Sequence, residues 1–214
     1  MHFLRKNLVG RIIKSCEAFE DDIVYGKVGC SAKAFQSAVQ GNKVTGVDQQ
    51  GKYFYITFSK SPHAVLHLGM TGWVAFDNQD TRYYKQAKEK DGKDAEEWPP
   101  KYAKFLLKCD AVDGREAVEA AFVDARRLAR IRLVDCEEGD IRNQSPLKEN
   151  GPDPVRDKEI VTVDWLAQLL RKKRVPVKAL LLDQANLSGV GNWVADEVLY
   201  QAKIHPEQSV LTKT

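Results

Sequence analysis

Apolar and polar residues alternate with a period of two over much of the first two-thirds of the chain, and with a helical period over the last third. Lys52-Tyr53-Phe54-Tyr55-Ile56-Thr57-Phe58 is rich in aromatic and β-branched residues and predicts a strand. Arg11-Ile12-Ile13-Lys14, Ala64-Val65-Leu66-His67-Leu68 and Ala129-Arg130-Ile131-Arg132-Leu133-Val134 read the same way. Phe105-Leu106-Leu107 and Val118–Val123 flank Asp113-Gly114, which predicts a hairpin. One short helix is predicted among them, with Ser31 as its cap, Phe35 and Val39 on its apolar side and Gly41 as its stop. Many short strands with turn signals between them predict a sandwich or a barrel.

Asn150-Gly151-Pro152-Asp153-Pro154 reads as a stiff, turn-rich linker, and the period changes beyond it. Val163–Lys172 carries Trp165, Leu166, Leu169 and Leu170 at helical spacing. Pro176 suits the first turn of a second helix that turns Val177, Leu180 and Leu181 inward. A third helix starts at Asn192, buries Val194, Val198 and Leu199, and ends at His205-Pro206, with a last helix beginning at Pro206. The expected fold class is therefore α+β. It comprises a strand-rich domain over 1–140, a linker over 141–160 and a helical domain over 161–214, with a groove between the two domains. Residues 77–101 break the strand pattern with a charged run and Trp98-Pro99-Pro100, and are expected to form a long mobile insertion with solvated charges.

At 214 residues the chain is long enough for a real core. No apolar run reaches the length of a membrane span, and Met1-His2-Phe3-Leu4-Arg5-Lys6-Asn7 lacks the apolar core of a signal peptide. An intracellular protein with no membrane partner is the expectation. The net charge of +3 is too small to identify a partner, because nucleic-acid binding depends on local clusters. Cys16, Cys30, Cys109 and Cys136 form no C-x-x-C pair, so neither a zinc ribbon nor a dithiol site is indicated, and free thiols are expected.

Four constellations carry candidate chemistry. In Asp183-Gln184-Ala185-Asn186-Leu187-Ser188-Gly189-Val190-Gly191-Asn192 an apolar helix runs into a glycine turn, and a new helix follows. Glycines such as Gly191 let backbone amides approach a ligand, and a helix start directs unpaired N–H groups and a positive dipole end to the same place. Such a corner binds phosphate, and the basic run Arg171-Lys172-Lys173-Arg174 with Lys178 lies just upstream. The alternative is an ordinary helix corner with glycines for close packing. Asn192 suits a cap, a phosphate contact or both, and Asp196 and Glu197, placed in the first turn, must point aside or else help the helix dipole. In His67-Leu68-Gly69-Met70-Thr71-Gly72, Met70 either folds back onto the core or stands out as a wedge that enters a base stack. In Asp124-Ala125-Arg126-Arg127-Leu128, the arginines are surface charges, or one fills the gap left by an extruded base with Leu128 beside it. In Gly51-Lys52-Tyr53, Lys52 is either solvated or holds a phosphate or moves protons.

These elements, in this order, resemble the Fpg/Nei family of DNA glycosylases. The resemblance spans nearly the whole chain. It rests on Leu8-Val9-Gly10, Gly51-Lys52-Tyr53, His67-Leu68-Gly69-Met70-Thr71-Gly72, Asp124-Ala125-Arg126-Arg127, Gly151-Pro152-Asp153-Pro154, Asp183-Gln184 with Gly189-Val190-Gly191-Asn192, and Ile204-His205-Pro206. The long insertion and the absence of early zinc ligands are similar to the plant and fungal branch. The resemblance implies a β-sandwich followed by a helix–two-turn–helix domain. It implies base excision repair: removal of oxidised purines such as 8-oxoguanine and formamidopyrimidines, then cleavage of the strand at the abasic site. The implied partner is double-stranded DNA holding oxidised bases or abasic sites, bound by a monomer in the nucleus, with no metal or other cofactor. Met70, Arg126 and Leu128 match the void-filling residues, although Leu128 stands where phenylalanine is usual. Lys52 matches the lysine that contacts phosphate and assists catalysis, and Asn192 the asparagine that grips phosphate around the flipped nucleotide. On the same resemblance, the glycine corner and the Met70 loop are expected to face each other across the DNA groove.

The family's nucleophile is an N-terminal proline followed by a glutamate, whereas this sequence opens with Met1-His2-Phe3. Aligned at Leu8-Val9-Gly10, the family's first helix is expected to be incomplete by ~10 residues, and the C-terminal β-hairpin finger to be absent. An incomplete first helix is expected to leave apolar sandwich surface exposed, at a cost of roughly 1.5–3 kcal/mol per Leu-sized side chain. Two further readings stand beside the enzyme: a non-catalytic module for damaged DNA, and a generic helix-hairpin-helix contact to nucleic-acid phosphates. This exact polypeptide is expected to bind damaged DNA weakly and not to excise bases. Borohydride treatment on an abasic-site duplex should therefore trap no covalent adduct, and an adduct would refute the expectation.

Overall fold

Aromatic rings from two facing sheets meet in the core of the first unit: Phe54 stacks on Phe122 at 6.4 Å between centroids, and Phe122 on Phe105 at 5.3 Å. The computed structural model describes residues 1–78 and 98–209. The chain divides into one compact unit of Met1–Gln49 with Tyr53–Ile141, and a second of Gln50–Lys52 with Arg142–Thr214.

The first unit is a β-sandwich. Its strands are β1 (Ile13–Ala18), β2 (Val44–Gln50), β3 (Tyr53–Phe58), β4 (His63–His67), β5 (Trp73–Phe76), β6 (Ala103–Cys109), β7 (Val118–Val123) and β8 (Arg130–Val134). One four-stranded sheet runs β1-β6-β7-β5 and the other β2-β3-β4-β8. Inward residues alternate as the period-two reading requires: Phe54, Ile56 and Phe58 of β3, Ala64 and Leu66 of β4, and Phe105 and Leu107 of β6 share one core. The hairpin of β6 and β7 is antiparallel, with Asp113 and Gly114 both at positive φ in its turn. Strands β2 and β5 were not anticipated. β2 is mostly polar, with Thr45, Asp48, Gln49 and Gln50, and β5 is only four residues long.

Helix α1 (His2–Leu8) packs on the sandwich: Leu8, 1% exposed, and Leu4 join its core. The Arg115 guanidinium donates to the carbonyls of Lys6 (2.8 Å) and Val9 (3.1 Å) and so closes the helix C-terminus. Helix α2 (Ala32–Val39) forms as read, with the Ser31 hydroxyl accepting from Ala34 N–H at 3.1 Å and Phe35 and Val39 buried. The expected insertion falls mainly on 79–97, outside the described residues. Its far end is not loose, because Trp98 packs beside Ala75, Leu106, Ala121 and Val123 and donates its indole N–H to Glu119 at 2.7 Å.

The second unit holds α3 (Val163–Lys172), α4 (Val177–Leu182) and α5 (Asn192–Ala202) around Val177, Leu180, Leu181, Leu187, Val190, Ala195 and Leu199. Val198 is 50% exposed, contrary to its expected burial, because α5 turns the Ala195–Leu199 row inward. Pro176 caps α4 and does not enter it. No helix begins at Pro206 among the described residues; Ser209 instead bridges to Pro176. The stretch 141–160 is no free linker. Leu147, Asp153 and Asp157 are buried, and the segment from Arg142 onward belongs to the second unit. All four cysteines are free, with Cys16 and Cys109 buried; burial pushes the Cys16 thiol up to about 12 and the Cys109 thiol up to about 11.

If α1 is an integral part of the core, Leu8→Ala should cost about 2–5 kcal/mol in the urea unfolding of the 214-residue chain. A loss below the lower figure would show that the helix adds little.

Candidate nucleic-acid interface

In the second unit the glycine corner is held by its own side chains. Gln184 donates through Nε2 to the carbonyls of Leu182 (2.8 Å) and Val190 (3.0 Å), and its Oε1 accepts from Gly189 N–H at 3.0 Å. One amide side chain thus closes the turn between α4 and α5. Asp183 supports it by accepting from Ala185 N–H at 3.1 Å and from the Asn186 amide at 2.8 Å.

The turn carrying Lys52 packs against this corner. Gly51 has φ +59°, and a Cβ on it would lie 2.8 Å from Ser188 Cβ and 3.0 Å from Gly189 N. Gly189 has φ +91°, and a Cβ there would lie 3.3 Å from Gly51 Cα. Gly51 therefore requires glycine for conformation and for space, and Gly189 chiefly for conformation. Asp153 completes the joint by accepting from Gly51 N–H at 2.8 Å. Asp153 is itself held by Asp157, which accepts its N–H at 2.9 Å and takes a paired contact from Arg142 at 3.0 and 2.9 Å. The hydrogen bond from Arg142 holds the Asp157 carboxyl below the usual carboxylate range.

This joint ties the turn that carries the exposed Lys52 to the unit that holds α5. Gly191 is the N-cap with extended backbone (φ −110°), and a Cβ on it would meet nothing within 4 Å. The chain itself does not need glycine there, so the space outside Gly191 stays open to a ligand. Asn192 is the first helical residue and exposed, not the cap. The first N–H groups of α5 have no intrahelical acceptor. Asp196 and Glu197 lie beyond the first turn and point aside: Asp196 pairs with Lys178 at 2.6 Å, and Glu197 accepts from Gln201 at 2.8 Å. Lys178 is thus committed to Asp196, whereas Arg171, Lys172 and Arg174 are exposed.

In the first unit the Met70 loop and the Arg126 turn lie together. Met70 is 79% exposed, so it does not fold back onto the core. Its loop closes through Gly72 N–H to the Leu68 carbonyl at 2.9 Å. Gly69, at φ +64°, lies so close to Leu128 that a Cβ would meet its carbonyl carbon at 2.7 Å. Arg126 and Leu128 are exposed beside it. Arg127, between them, has φ +55° and turns the other way, onto buried Asp21 at 3.0 Å and onto Asp22. Burial would raise the Asp21 carboxyl, but hydrogen bonds from Arg127, Lys104 and two backbone N–H groups outweigh it and hold the group well below the usual range. Of the Arg126-Arg127 pair, only Arg126 is left to meet a ligand.

The structure thus gathers Lys52, Gly191 and Asn192 in one unit and Met70, Arg126 and Leu128 in the other. Sequence reasoning assigned no role to Gln184, Asp153, Asp124 or Thr71, although each stood inside a quoted motif. Among the described residues no three His, Cys, Asp or Glu side chains converge as a metal site.

Comparison with known proteins agrees on both units. The family model for the formamidopyrimidine-DNA glycosylase N-terminal domain matches residues 1–131, and that for the H2TH domain matches residues 150–212. A formamidopyrimidine-DNA glycosylase of Arabidopsis thaliana is 36% identical over 206 residues, covering 96% of this chain and 49% of the relative. One from Desulfitobacterium hafniense is 32% identical over 181 residues, covering 84% of this chain and 56% of the relative. The chain therefore spans about half the length of these curated relatives. In fold it is similar to Lactococcus lactis formamidopyrimidine DNA glycosylase bound to DNA containing an abasic site, with TM-score 0.72, 23% identity, and 98% of this chain and 69% of that one covered. The same enzyme in complex with DNA containing FAPY-dG gives TM-score 0.70 at 23% identity, covering 98% of this chain and 68% of that one.

The two glycines of the corner should respond differently to substitution. Gly189→Ala is expected to cost about 1–3 kcal/mol of stability through backbone strain. Gly191→Ala is expected to cost less than about 1 kcal/mol, the difference between two cap residues. Thermal unfolding of both variants checks this, and equal losses would contradict it.

Proposed function

The chain belongs to the formamidopyrimidine-DNA glycosylase family, and from that premise we propose that it serves base excision repair by gripping duplex DNA around a damaged, extruded nucleotide. The reaction served is excision of oxidised purines by cleavage of the N-glycosidic bond, followed by β-elimination at the abasic site. The observation that carries this reading is the exposed Met70 at the apex of a closed loop, beside exposed Arg126 and Leu128. An exposed methionine flanked by a free guanidinium and a leucine suits a gap in a base stack. The apolar side chains replace lost stacking, and the guanidinium offers donors to the unpaired base opposite. Flipping costs a few kcal/mol, less at a lesion, and filling the vacancy offsets part of it.

The second site supplies affinity. The free N–H groups of α5, its dipole, the Asn192 amide and the Lys52 ammonium all suit a phosphate. A generic helix-hairpin-helix contact would have this site alone. The Met70 cluster favours lesion recognition over that alternative.

Fluorescence anisotropy with intact duplex and with duplex holding an abasic-site analogue tests the proposal. The 214-residue chain should prefer the abasic duplex by at least about tenfold, or 1.4 kcal/mol. Met70→Ala should reduce that preference while leaving the affinity for intact duplex unchanged. Asn192→Ala should weaken both by about 1.5–3 kcal/mol, the value of a charge-assisted hydrogen bond. Equal affinity of the unaltered chain for both duplexes would refute lesion recognition.

A further inference from the structure

One buried side chain holds both halves of the Met70 cluster. Asp124 is 0% exposed. Its Oδ2 accepts from Ala129 N–H at 2.7 Å, and its Oδ1 accepts from Arg126 N–H at 3.1 Å. These two bonds close its own turn. A third crosses to a different loop: the Thr71 hydroxyl donates to the same Oδ1 at 3.1 Å. Thr71 directly follows Met70 and is exposed. On the other side of the loop the Gly69 backbone lies against Leu128, with no room for a Cβ.

We propose that Asp124 is a positioning residue that, through Thr71, locks Met70 against Arg126 and Leu128 as one wedge formed before DNA arrives. The inference rests on the void-filling reading of those three side chains. Its physical basis is conformational entropy. A methionine side chain is flexible, and a mobile loop beneath it would have to be ordered on binding, at the expense of lesion affinity. The clamp fixes the backbone and leaves only side-chain rotamers to settle. The chemistry of the clamp calls for Asp: three donors converge on it, and an ionised Asp side chain has two oxygens and no donor of its own, whereas Asn would turn an N–H towards one of them. Arg127, held at positive φ by Asp21 and Asp22, keeps the turn from opening on its far side.

The test uses the 214-residue chain and a duplex with an abasic-site analogue opposite 2-aminopurine, whose emission reports stacking next to the vacancy. Thr71→Val keeps the shape of an exposed residue and removes the donor; Thr71→Ser keeps the donor. The expected result is that Thr71→Val binds the abasic duplex about tenfold more weakly, loses most of the 2-aminopurine response and keeps its affinity for intact duplex. Thr71→Ser should restore both signals. A Thr71→Val protein that binds and signals as the unaltered chain does, while Met70→Ala loses the response, would overturn the clamp and leave the wedge reading standing. A Met70→Ala protein with the full response would overturn the wedge reading itself, and the clamp with it.

Discussion

Backbone meets backbone at Gly51 and Gly189, and the exposed chemistry of the second unit is arranged around that meeting. A Cβ on Gly51 would collide with Ser188, one on Gly189 would crowd Gly51, and both have positive φ, so the turn and the corner approach closely as main chain. Asp153 converts the approach into a joint by accepting the Gly51 N–H. The consequence is positional. Lys52 lies next to the Gly51 that touches the corner, and α5 begins three residues beyond Gly189. Lys52 and the start of α5 thus flank, along the chain, a contact that contains neither.

Buried acidic side chains recur as the organisers of both units. Asp21, Asp124, Asp153 and Asp157 are all buried, and each accepts at least one backbone N–H. Such a group satisfies several donors at once and fixes a loop without regular structure. It also sorts the arginines. Arg127 is drawn down to Asp21 and Arg142 to Asp157, whereas Arg126 stays out in solvent. Adjacent residues of one type thus divide between holding the loop and meeting a ligand.

Regular elements were legible where a single physical signal dominated. Ser31, Phe35 and Val39 announced α2, and the apolar rows of Val163–Lys172 and Val177–Leu182 announced α3 and α4, because capping and periodicity are local properties. Strands β2 and β5 were not legible. A strand that is mostly polar, or only four residues long, owes its form to the neighbours that pair with it. The stretch 141–160 read as a linker because Gly and Pro cluster in it. Its buried Asp153 accepts from Gly51, about a hundred residues away in the chain, which no local signal announces.

The site was legible as residue types and not as an arrangement. By itself the sequence picked out Lys52, Met70, Arg126, Leu128, Gly191 and Asn192 as candidate DNA contacts, since motif spacing is a property of the chain. It left Met70 open between core and solvent, left Asn192 open between a cap and a phosphate contact, and counted Lys178 among the phosphate-binding cations. Tertiary structure decided each of these. Gly69 against Leu128, with the Thr71 bond to Asp124, holds the Met70 loop outward. Gly191 takes the cap position, and Asp196 claims Lys178. Exposure and pairing depend on which distant residues arrive in the same place, and that is settled only when the chain has closed on itself.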